Sequence, residues 1–594
     1  MILNLEHRLF SRKEKKKWIY FGSSYLKLLS LEKKKDKTYR ISLSKENLKN
    51  IIKEKKIFLH WLDEQNSYYN DSIFWWMNSI ASKSNLSSIF FNSISQLSSI
   101  KEHIENNKKN EKSITITSEN YHFIKLLIDN LKDSNKLNVP KFLPLLLLLE
   151  KFFLILGGIF NYLKIFYYFI VHYFFSFLSK QKKSYLEGEV YLFHDLINSS
   201  KFKEGVVQSR YYGDFPVWLE KKAKQVISLP WFYSNLKEKK KLYYNLRARN
   251  SFIPEDWLNI IDYLKCIKYS IISSFSISEK IFYPNHKIIN LIKYEKLMAL
   301  KTNKSAIYLR YIPAIKNWSK KVTSIKFFDH YQNQSYEHPI RYGLKNLEIK
   351  SKSVGYYHSL HSINFLPYQS STKEWQSKSK PDYVACSSNF CKKILAYQGM
   401  PENRIKVISD LQRENFKNLI PKKLNKNLLV ILSLFPESNY EILNKILKIN
   451  NFLQEILKLK VTIRSHPYLN NLNILRKLNC KKLPDNWNWS KGDLKSDLEE
   501  NYCVITMHSA VITDAVLYNN ILIILKSELN NAENYLDYLE NKFPILKPTL
   551  EIDLEQKLKD IFLSKTKFYK DTFFKIKNEI GININKKNYQ ELEG

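Results

Sequence analysis

The order of hydrophobic and polar positions predicts strands that alternate with helices over most of the chain. Runs such as 113–118 (SITITS) and 189–194 (EVYLFH) have the composition of strands, and the residues at 119–131 repeat their apolar positions at helical spacing. Strand and helix patterns also alternate between residues 322 and 398. Parallel strands need a crossover, usually a helix, so this alternation predicts an α/β fold built on a parallel sheet.

A second alternating series follows a polar segment at 415–427 (NFKNLIPKKLNKN), which we interpret as a linker. The strands of this series are predicted at 428–432, 460–464, 502–506 and 521–525. We therefore predict two Rossmann-like doubly wound domains, over 1–414 and 427–550, and a helical extension over 551–594. Because parallel sheets bind ligands beyond the carboxyl ends of their strands, we expect the ligand in the cleft between the two domains.

The longest apolar segment lies at 142–178 (FLPLLLLLEKFFLILGGIFNYLKIFYYFIVHYFFSFL). Glu150, Lys151 and Lys164 divide it into runs shorter than the roughly 20 residues that a membrane-spanning helix needs. We therefore predict an apolar helical insertion that contacts a membrane as interfacial or re-entrant helices. A buried helical hairpin and a single span over about 152–171 remain alternatives.

Two features favour the cytoplasmic face of an inner membrane. The first residues (MILNLEHRLFSRKEKKKW) contain no apolar core of a secretory signal. Lys180, Lys182 and Lys183 follow the apolar segment directly, and basic residues in that position suit an anionic leaflet. We expect a peripheral or monotopic protein at that face.

The composition limits the partners. Lys and Arg total 95 and Asp and Glu 57, which gives a formal net charge of +38. Such a field attracts nucleic acid, anionic lipid or phosphorylated small molecules, yet no nucleic-acid-binding motif accompanies the lysines. We predict no nucleic-acid partner, and nucleic-acid binding stays an alternative motivated by charge alone. The five cysteines contain no CxxC pair, which indicates reduced thiols and no cysteine-bound metal.

The candidate phosphate- or nucleotide-binding residues lie in the second series. Arg464, His466 and Pro467 end one predicted strand, where a guanidinium and an imidazole can bond phosphate or ribose oxygens. Thr506 and Ser509 lie where another strand leads into a helix, and a helix start offers backbone amides to a phosphate. A turn histidine and ordinary helix capping by Ser509 are the structural alternatives.

The candidate acid–base residues lie in the first series. Asp329, Glu337 and His358 follow predicted strands, and we expect all three at the rim that faces the cleft. A general base for a sugar hydroxyl needs such a position. No GxGxxG, GxxxxGK[ST], HExxH, GxSxG or convincing DxD motif occurs, so we predict an enzyme that needs neither metal nor cofactor.

Several short motifs occur in a fixed order. They are 71–85 (DSIFWWMNSIASKSN), 209–215 (SRYYGDF), 230–232 (PWF), 332–337 (QNQSYE), 355–359 (GYYHS), 381–408, 464–467 and 508–515. Together they resemble the putative surface carbohydrate biosynthesis proteins of bacteria, which are related in pattern to capsule and O-antigen glycosyltransferases of the GT-B fold. The chain departs from that family at Gln332, Tyr336 and Tyr357, where the family has an acid, a tryptophan and a glutamine. If that acid is the base, the role passes to Asp329 or Glu337 here.

The resemblance implies a GT-B-like glycosyltransferase. Its donor would be a nucleotide-activated sugar, and its acceptor a lipid-linked or growing surface polysaccharide of capsule or O-antigen type. Arg413, which follows the motif at 381–408, joins the expected donor-side residues. Two other functions remain open: phosphotransfer from a CDP-alcohol, as in teichoic-acid polymerases, and a catalytically inactive GT-B scaffold in polysaccharide assembly.

Overall fold

The computed structural model describes most of the chain. The described residues are 2–7, 16–84, 87–109, 111–179, 188–197, 202–203, 206–207, 209, 211–232, 236–247, 250–279, 282–371, 373–413, 425–467, 469, 474–480, 482–529, 534–582 and 589–593. Within these ranges the strands form three parallel sheets and one short antiparallel hairpin.

The N-terminal sheet has four parallel strands, β1 (Ile2–His7), β2 (Trp18–Phe21), β3 (Ser113–Ser118) and β4 (Lys136–Asn138), in the order β2-β3-β1-β4. Its helices are α1 (Tyr25–Lys35), α2 (Ser44–Tyr69), α3 (Ile73–Trp76), α4 (Phe90–Asn107) and α5 (Tyr121–Leu131). Leu5, Ile116 and Leu127 are part of one buried core that joins this sheet to its helices. Of these elements the sequence pattern predicted only β3 and α5, so the range 1–414 holds two sheets where we expected one.

A continuous helix, α6 (Leu143–Leu178), follows β4 and has 36 residues, which corresponds to about 54 Å. The charges at Glu150, Lys151 and Lys164 do not interrupt it, so the predicted shorter runs form one element. Among the described residues it is the helix long and apolar enough to cross a membrane. The three lysines expected after it, at 180, 182 and 183, lie outside the described residues.

The middle sheet has six parallel strands: β5 (Glu189–Ile197), β8 (Gln225–Phe232), β9 (Ser324–His330), β10 (Lys350–Tyr357), β11 (Tyr383–Cys386) and β12 (Ile405–Val407). Their order is β12-β11-β10-β9-β5-β8, and β6 (Phe202–Lys203) pairs with β7 (Val206–Val207) in the separate hairpin. The helices of this region are α7 (Phe215–Lys221), α8 (Leu236–Arg247), α9 (Ile260–Ser274), α10 (Ile289–Thr302), α11 (Ser305–Leu309), α12 (Tyr311–Ser319), α13 (His338–Lys345) and α14 (Asn389–Tyr397).

The C-terminal sheet has five parallel strands, β13 (Asn427–Ile431), β14 (Lys460–Arg464), β15 (Trp487–Trp489), β16 (Cys503–Thr506) and β17 (Ile521–Ile524), in the order β15-β14-β13-β16-β17. Its helices are α15 (Pro436–Lys448), α16 (Ile474–Lys477), α17 (Leu494–Glu500) and α18 (Val511–Leu517). The extension contains α19 (Leu554–Lys559), α20 (Thr566–Ile580) and α21 (Gln590–Glu593).

The carboxyl edges of the middle and C-terminal sheets face each other. Arg413, in the loop after β12, lies 2.7 Å from Asp514 of α18, the helix that follows β16. Ser362, in the loop after β10, donates its hydroxyl to Asp537 over 2.5 Å. Loops that extend the strand ends of one sheet therefore meet the corresponding loops of the other.

All three sheets share part of one hydrophobic core. Trp18 of β2, Tyr357 of β10 and Val430 of β13 belong to a single cluster of buried side chains. The predicted pair of doubly wound α/β units is present, and a third parallel sheet precedes them. The predicted domain limits stay predictions, and most of the predicted linker at 415–427 lies outside the described residues.

Candidate functional site

The strand order locates one crevice in each doubly wound sheet. In the middle sheet, β8 lies on one side of β5 and the later strands follow on the other, so the order reverses between β5 and β9. In the C-terminal sheet the reversal lies between β13 and β16. Ligands of open parallel sheets bind at the carboxyl ends of the strands at such a reversal. These two positions are therefore the candidate binding crevices.

The crevice of the middle sheet holds three histidines from three adjacent strands. His194 lies in β5, His330 ends β9 and His358 directly follows β10. The rings of His194 and His330 stack at 5.6 Å between centroids, and His330 lies 6.1 Å from His358. Tyr211 stacks on His330 at 4.5 Å and meets the His358 ring edge-on at 4.9 Å. We call His194, His330, His358 and Tyr211 the imidazole cluster.

Hydrogen bonds fix the tautomer of His330. Tyr336 donates its hydroxyl hydrogen to Gln332 Oε1 over 2.9 Å, and its oxygen lies 2.9 Å from His330 Nε2. Because the tyrosine hydrogen is committed to Gln332, the Nε2–H of His330 is the donor to Tyr336. In its neutral form the ring then keeps Nδ1 as an acceptor. Gln332 and Tyr336, which depart from the family pattern, orient this histidine.

The three members of the cluster near the sheet interior differ in exposure from the fourth. His194, His330 and Tyr211 are buried, whereas His358 is partly exposed. Burial, with the positive charge of Arg341 nearby, lowers the pKa of His194 to about 3, so this ring is neutral at physiological pH. His358 is thus the member of the cluster that is partly open to solvent.

Asp329 and Glu337 do not face the cleft, which corrects the expectation from the sequence. Both side chains are fully buried, and the Arg341 guanidinium lies 2.7 Å from Asp329 and 2.6 Å from Glu337. Burial raises the pKa of both carboxyls, and the Arg341 charge opposes that rise. Glu337 also accepts the backbone N–H groups of residues 332, 333 and 334 at 3.0–3.1 Å. This geometry gives both acids a structural role beneath the imidazole cluster.

The GYYHS motif begins with glycine, Gly355, because the neighbouring chain leaves no room for a side chain there. A Cβ atom at this position of β10 would lie 2.9 Å from Cβ of Tyr331, the residue after His330. Real Cβ atoms do not approach so closely, so glycine allows β10 and the end of β9 to lie side by side here. The spacing within the imidazole cluster depends on this approach.

The crevice of the C-terminal sheet lies between the loops after β13 and β16. Phe435, at the end of the first loop, is 40% exposed, and its ring lies 6.2 Å from that of His508 in the second. The backbone of His508 is left-handed, with φ 54°, and burial lowers its pKa to about 4. Ser433 is held in place because its N–H donates to the Asn439 side chain over 2.8 Å.

Two of the predicted donor-side residues support the backbone of this crevice. Thr506 is fully buried and donates its hydroxyl to the carbonyl of Ile431 over 3.1 Å, which ties β16 to β13. Ser509 accepts the N–H of Val511, the first residue of α18, over 3.3 Å, although the residue directly before the helix is Ala510. Thr506 therefore shapes the crevice without facing it.

Arg464, His466 and Pro467 lie on the other side of the β13 loop. Nη1 of Arg464 contacts the Asp497 carboxylate at 2.5 Å and the carbonyl of Gly492 at 3.0 Å, so the guanidinium is held at the end of β14. His466 is partly exposed and Pro467 is exposed. Because β13 separates β14 from β16, these residues share an edge with Ser509 at a distance of two strand spacings, about 10 Å.

Arg413 connects the two doubly wound domains. Its guanidinium is almost fully buried between Asp410 at 2.8 Å and Asp514 at 2.7 Å. The carboxylates of Asp410 and Asp514 occupy the guanidinium. Arg413 therefore links the two domains and does not offer its charge to a phosphate. Within the described residues, no three His, Cys, Asp or Glu side chains are placed to share one metal ion.

Comparison with known proteins gives structural likeness only. No protein-family model and no curated protein matches the chain. The UDP-GlcNAc 2-epimerase from Neisseria meningitidis bound to UDP-GlcNAc is 9% identical, with a TM-score of 0.37 over 68% of this chain and 100% of that chain. The glycotransferase of kitacinnamycin is 8% identical, with a TM-score of 0.40 over 68% and 97%. The S. aureus MnaA–UDP structure is 10% identical, with a TM-score of 0.39 over 68% and 94%.

This likeness concerns the general fold and does not extend to the residues of the candidate site. The architecture itself is clear. Two doubly wound domains with facing carboxyl edges, and one long apolar helix in the first, form the GT-B-like arrangement expected from the sequence. The predicted fold class is confirmed.

Proposed function

We propose that the protein is a glycosyltransferase that uses a nucleotide-activated sugar. The observation that carries the proposal is that two strand-order reversals lie on facing sheet edges. One lies beside the imidazole cluster, which includes His358 on the next strand, and the other lies at the His508–Ser509 turn. Group transfer needs two substrates held side by side in one geometry, and two crevices on opposite walls of a cleft meet that need.

His358 is the proposed general base. Its ring packs against Tyr211, which stacks on the hydrogen-bonded His330, so neighbouring aromatic rings hold the imidazole in place. In the reaction, His358 takes the proton of an acceptor hydroxyl as that oxygen forms a bond to the anomeric carbon of the donor. The bond from that carbon to the nucleotide phosphate breaks, and its electron pair leaves with the phosphate oxygen.

The phosphate-side residues are proposed to be His466, His508 and Ser509. His508 is neutral at physiological pH because of its lowered pKa, so it contributes a hydrogen bond and no charge. Arg464 lies at the same sheet edge, where the Asp497 carboxylate holds and neutralises its guanidinium. Hydrogen bonds to a charged phosphate contribute roughly 1.5–3 kcal/mol each, which suits a modest nucleotide affinity from a few contacts.

The acceptor is proposed to be a lipid-linked or growing surface polysaccharide of capsule or O-antigen type, reached from the cytoplasmic face of the inner membrane. The resemblance of the ordered motifs supports this assignment, as does the long apolar helix of the first domain. No metal ion and no cofactor take part in the proposed reaction.

The experiment is a donor screen followed by one pair of variants. The purified protein is incubated with a panel of UDP-, GDP-, CMP- and CDP-activated donors and a membrane extract as acceptor, and products are identified by mass. His358→Ala should reduce turnover about 100-fold or more and leave nucleotide affinity by calorimetry nearly unchanged. His60→Ala is the matched control, because His60 is an exposed histidine on α2.

The same screen distinguishes the other candidate functions. Transfer of an alcohol phosphate from a CDP-alcohol would add phosphate to the product mass and would replace the proposal with the teichoic-type reaction. Nucleotide binding with no turnover of any donor would favour the inactive scaffold. Full activity of the His358→Ala variant would remove this residue as the base.

A further inference from the structure

The α6 helix is attached to the protein along its whole length. Near its start, Leu143 is buried in the core around the N-terminal sheet. At its middle, the Asn161 amide donates to the carbonyls of Leu300 and Asn303 at 3.1 and 2.9 Å. Near its end, Ser176 donates to Asp256 over 2.7 Å. The contacts from 143 to 176 extend over about 50 Å, well beyond the roughly 30 Å of a bilayer core.

The rest of the helix surface is apolar and uncovered within the described residues. Only 17% of its most apolar 18-residue stretch is buried. At about 100° per residue, the exposed apolar side chains occupy an arc of roughly 180°, opposite the contact face. The residues that are at least half exposed are Leu145, Leu148, Phe152, Phe153, Ile159, Phe160, Leu163, Tyr167, Ile170, Tyr173, Phe174 and Phe177.

The charges of α6 lie at the borders of this apolar arc. Lys151 and Lys164 are thirteen positions apart, which rotates one from the other by about 220°, so both are exposed on opposite borders. Glu150, the acidic residue of the helix, turns inward and lies 3.3 Å from His122. Lysines in this position can extend their ammonium groups to lipid headgroups while their stems stay in the apolar layer.

The α9 helix continues the surface. Phe169 of α6 packs on Tyr263 at 4.8 Å and Tyr162 of α6 lies 3.1 Å from Ser270, so the two helices run antiparallel. The face of α9 opposite Tyr263 exposes two lysines, Lys265 and Lys268. The apolar and aromatic residues exposed on α9 and at its end are Ile260, Ile261, Leu264, Tyr269, Ile271, Ile272 and Phe275.

We propose that the exposed faces of α6 and α9, here called the α6–α9 surface, dock in the plane of a bilayer that contains anionic lipid. A spanning orientation would place Asn161, His172 and Ser176 in hydrocarbon after losing their partners, at a cost of several kcal/mol per polar group. Docking in the plane leaves those contacts intact. A helix of a partner protein covers a narrower stripe than half of the circumference, whereas lipid covers the whole arc.

The positive charge of the α6–α9 surface favours anionic lipid over neutral lipid. The exposed charged residues on the two faces are lysines, and Asp262 at the start of α9 is occupied in a capping box with Asn259. Lysines near a membrane surface are attracted by anionic headgroups, and the net charge of +38 adds to that attraction. This inference concerns attachment and does not depend on the transferase proposal.

The test is flotation of the purified full-length protein with vesicles of phosphatidylcholine alone and vesicles that also contain phosphatidylglycerol. Binding is expected to the anionic vesicles and to weaken in high salt. The α6 variant Phe152→Ser/Phe160→Ser/Phe174→Ser and the α9 variant Ile261→Ser/Leu264→Ser/Ile272→Ser should each lower vesicle partitioning by about tenfold or more. The matched control is Tyr397→Ser/Ile552→Ser/Phe568→Ser, which changes exposed apolar residues elsewhere.

Three results would overturn the proposal. If the α9 variant binds vesicles as the unchanged protein does, α9 is not part of the surface. If the protein resists alkaline carbonate extraction from cell membranes, the helix spans. If vesicle binding is absent and light scattering shows a dimer that the α6 variant abolishes, the surface binds a second copy of the chain. Nucleotide affinity, measured on every variant, reports whether the donor site is intact and keeps this test separate from the transferase proposal.

Discussion

The carboxylate of Glu437 accepts the backbone N–H of Tyr25 over 2.6 Å and the hydroxyl of Ser24 over 3.2 Å. An acid in the first turn of α15, in the C-terminal domain, thereby caps the start of α1, in the N-terminal domain. Negative charge stabilises a helix start by satisfying its N–H groups and by its interaction with the helix dipole.

Replacement of Glu437 by glutamine or alanine should therefore destabilise the protein. We expect the free energy of unfolding to fall by about 1–2 kcal/mol, measured by urea denaturation. The control is Glu555→Gln, which changes an exposed first-turn acid of α19 that lies within one domain. Equal effects of the two substitutions would mean that the contact between domains adds nothing.

Asp537 should make stability depend on pH. Burial raises its pKa to about 7, while hydrogen bonds from Ser362 and Ile363 and the charge of Lys55 oppose the rise and Glu540 adds to it. In the unfolded chain the pKa is about 4, so the folded state holds the extra proton between pH 4 and 7. The contribution of Asp537 to stability is therefore present below pH 4 and is lost as the pH rises to 7.

Asp537→Asn should remove that loss. The free energies of unfolding of the variant and the unchanged protein, compared from pH 4.5 to 8 by denaturant titration, should diverge by an amount on the order of a few kcal/mol in favour of the variant at high pH. Other buried acids, such as Glu295, remain in both proteins and cancel in the comparison. Parallel pH profiles would show that Asp537 is ionised in the folded state as readily as in water.

Nucleotide affinity should depend on His466 and Ser509. His466→Ala and Ser509→Ala are each expected to weaken nucleotide binding by about tenfold to a hundredfold in calorimetry, because each removes a bond to a charged phosphate. The melting temperature of the nucleotide-free His466→Ala protein should change little, whereas Ser509→Ala also removes the bond to the Val511 N–H and should lower it slightly. Thr506→Val is the contrasting variant. The Thr506 hydroxyl bonds the Ile431 carbonyl, so its removal should lower the melting temperature more than the nucleotide affinity. Unchanged affinity in both alanine variants would place the nucleotide elsewhere.

Gly355→Ala should disturb the imidazole cluster from below. The added Cβ would lie 2.9 Å from Cβ of buried Tyr331, so β10 must shift, and we expect a loss of about 1–3 kcal/mol in the free energy of unfolding together with lower turnover. Gly343→Ala is the matched control, because Gly343 is also buried and its Cβ would lie 3.4 Å from Cα of Ile312, an ordinary contact. A Gly355→Ala variant with normal stability and turnover would mean that the strand ends tolerate separation.

The sequence pattern predicted most strands of the two doubly wound sheets, including β14 at its observed bounds, because each is a short apolar run next to a turn. It did not predict the imidazole cluster, although His194 and His330 both lie at predicted strand ends. Which strands are neighbours depends on the sheet order, and the reversal between β5 and β9 cannot be read from spacing along the chain.

The prediction that Asp329 and Glu337 face the cleft was wrong for a related reason. Asp329 and Glu337 follow strand patterns, as a catalytic carboxylate would, but Arg341 lies one helical turn after Glu337 and draws both into the interior. In the apolar segment at 142–178, the helix makes continuous what looks interrupted along the chain. Lys151 and Lys164 looked like interruptions in the linear sequence, whereas on the helix they are border positions that leave the apolar arc continuous.

In the proposed transferase, the buried cluster that joins Trp18, Tyr357 and Val430 would restrict how substrates enter and products leave. A wide swing of one domain away from the other would expose these aromatic and aliphatic side chains to water, at a cost of about 25 cal/mol for each Å² of apolar surface. Substrate entry and product release would then depend on movements of the short loops at the strand ends. Such movements occur on microsecond to millisecond timescales. The turnover rate of such an enzyme would respond to solvent viscosity and to loop substitutions more than to changes in the linker.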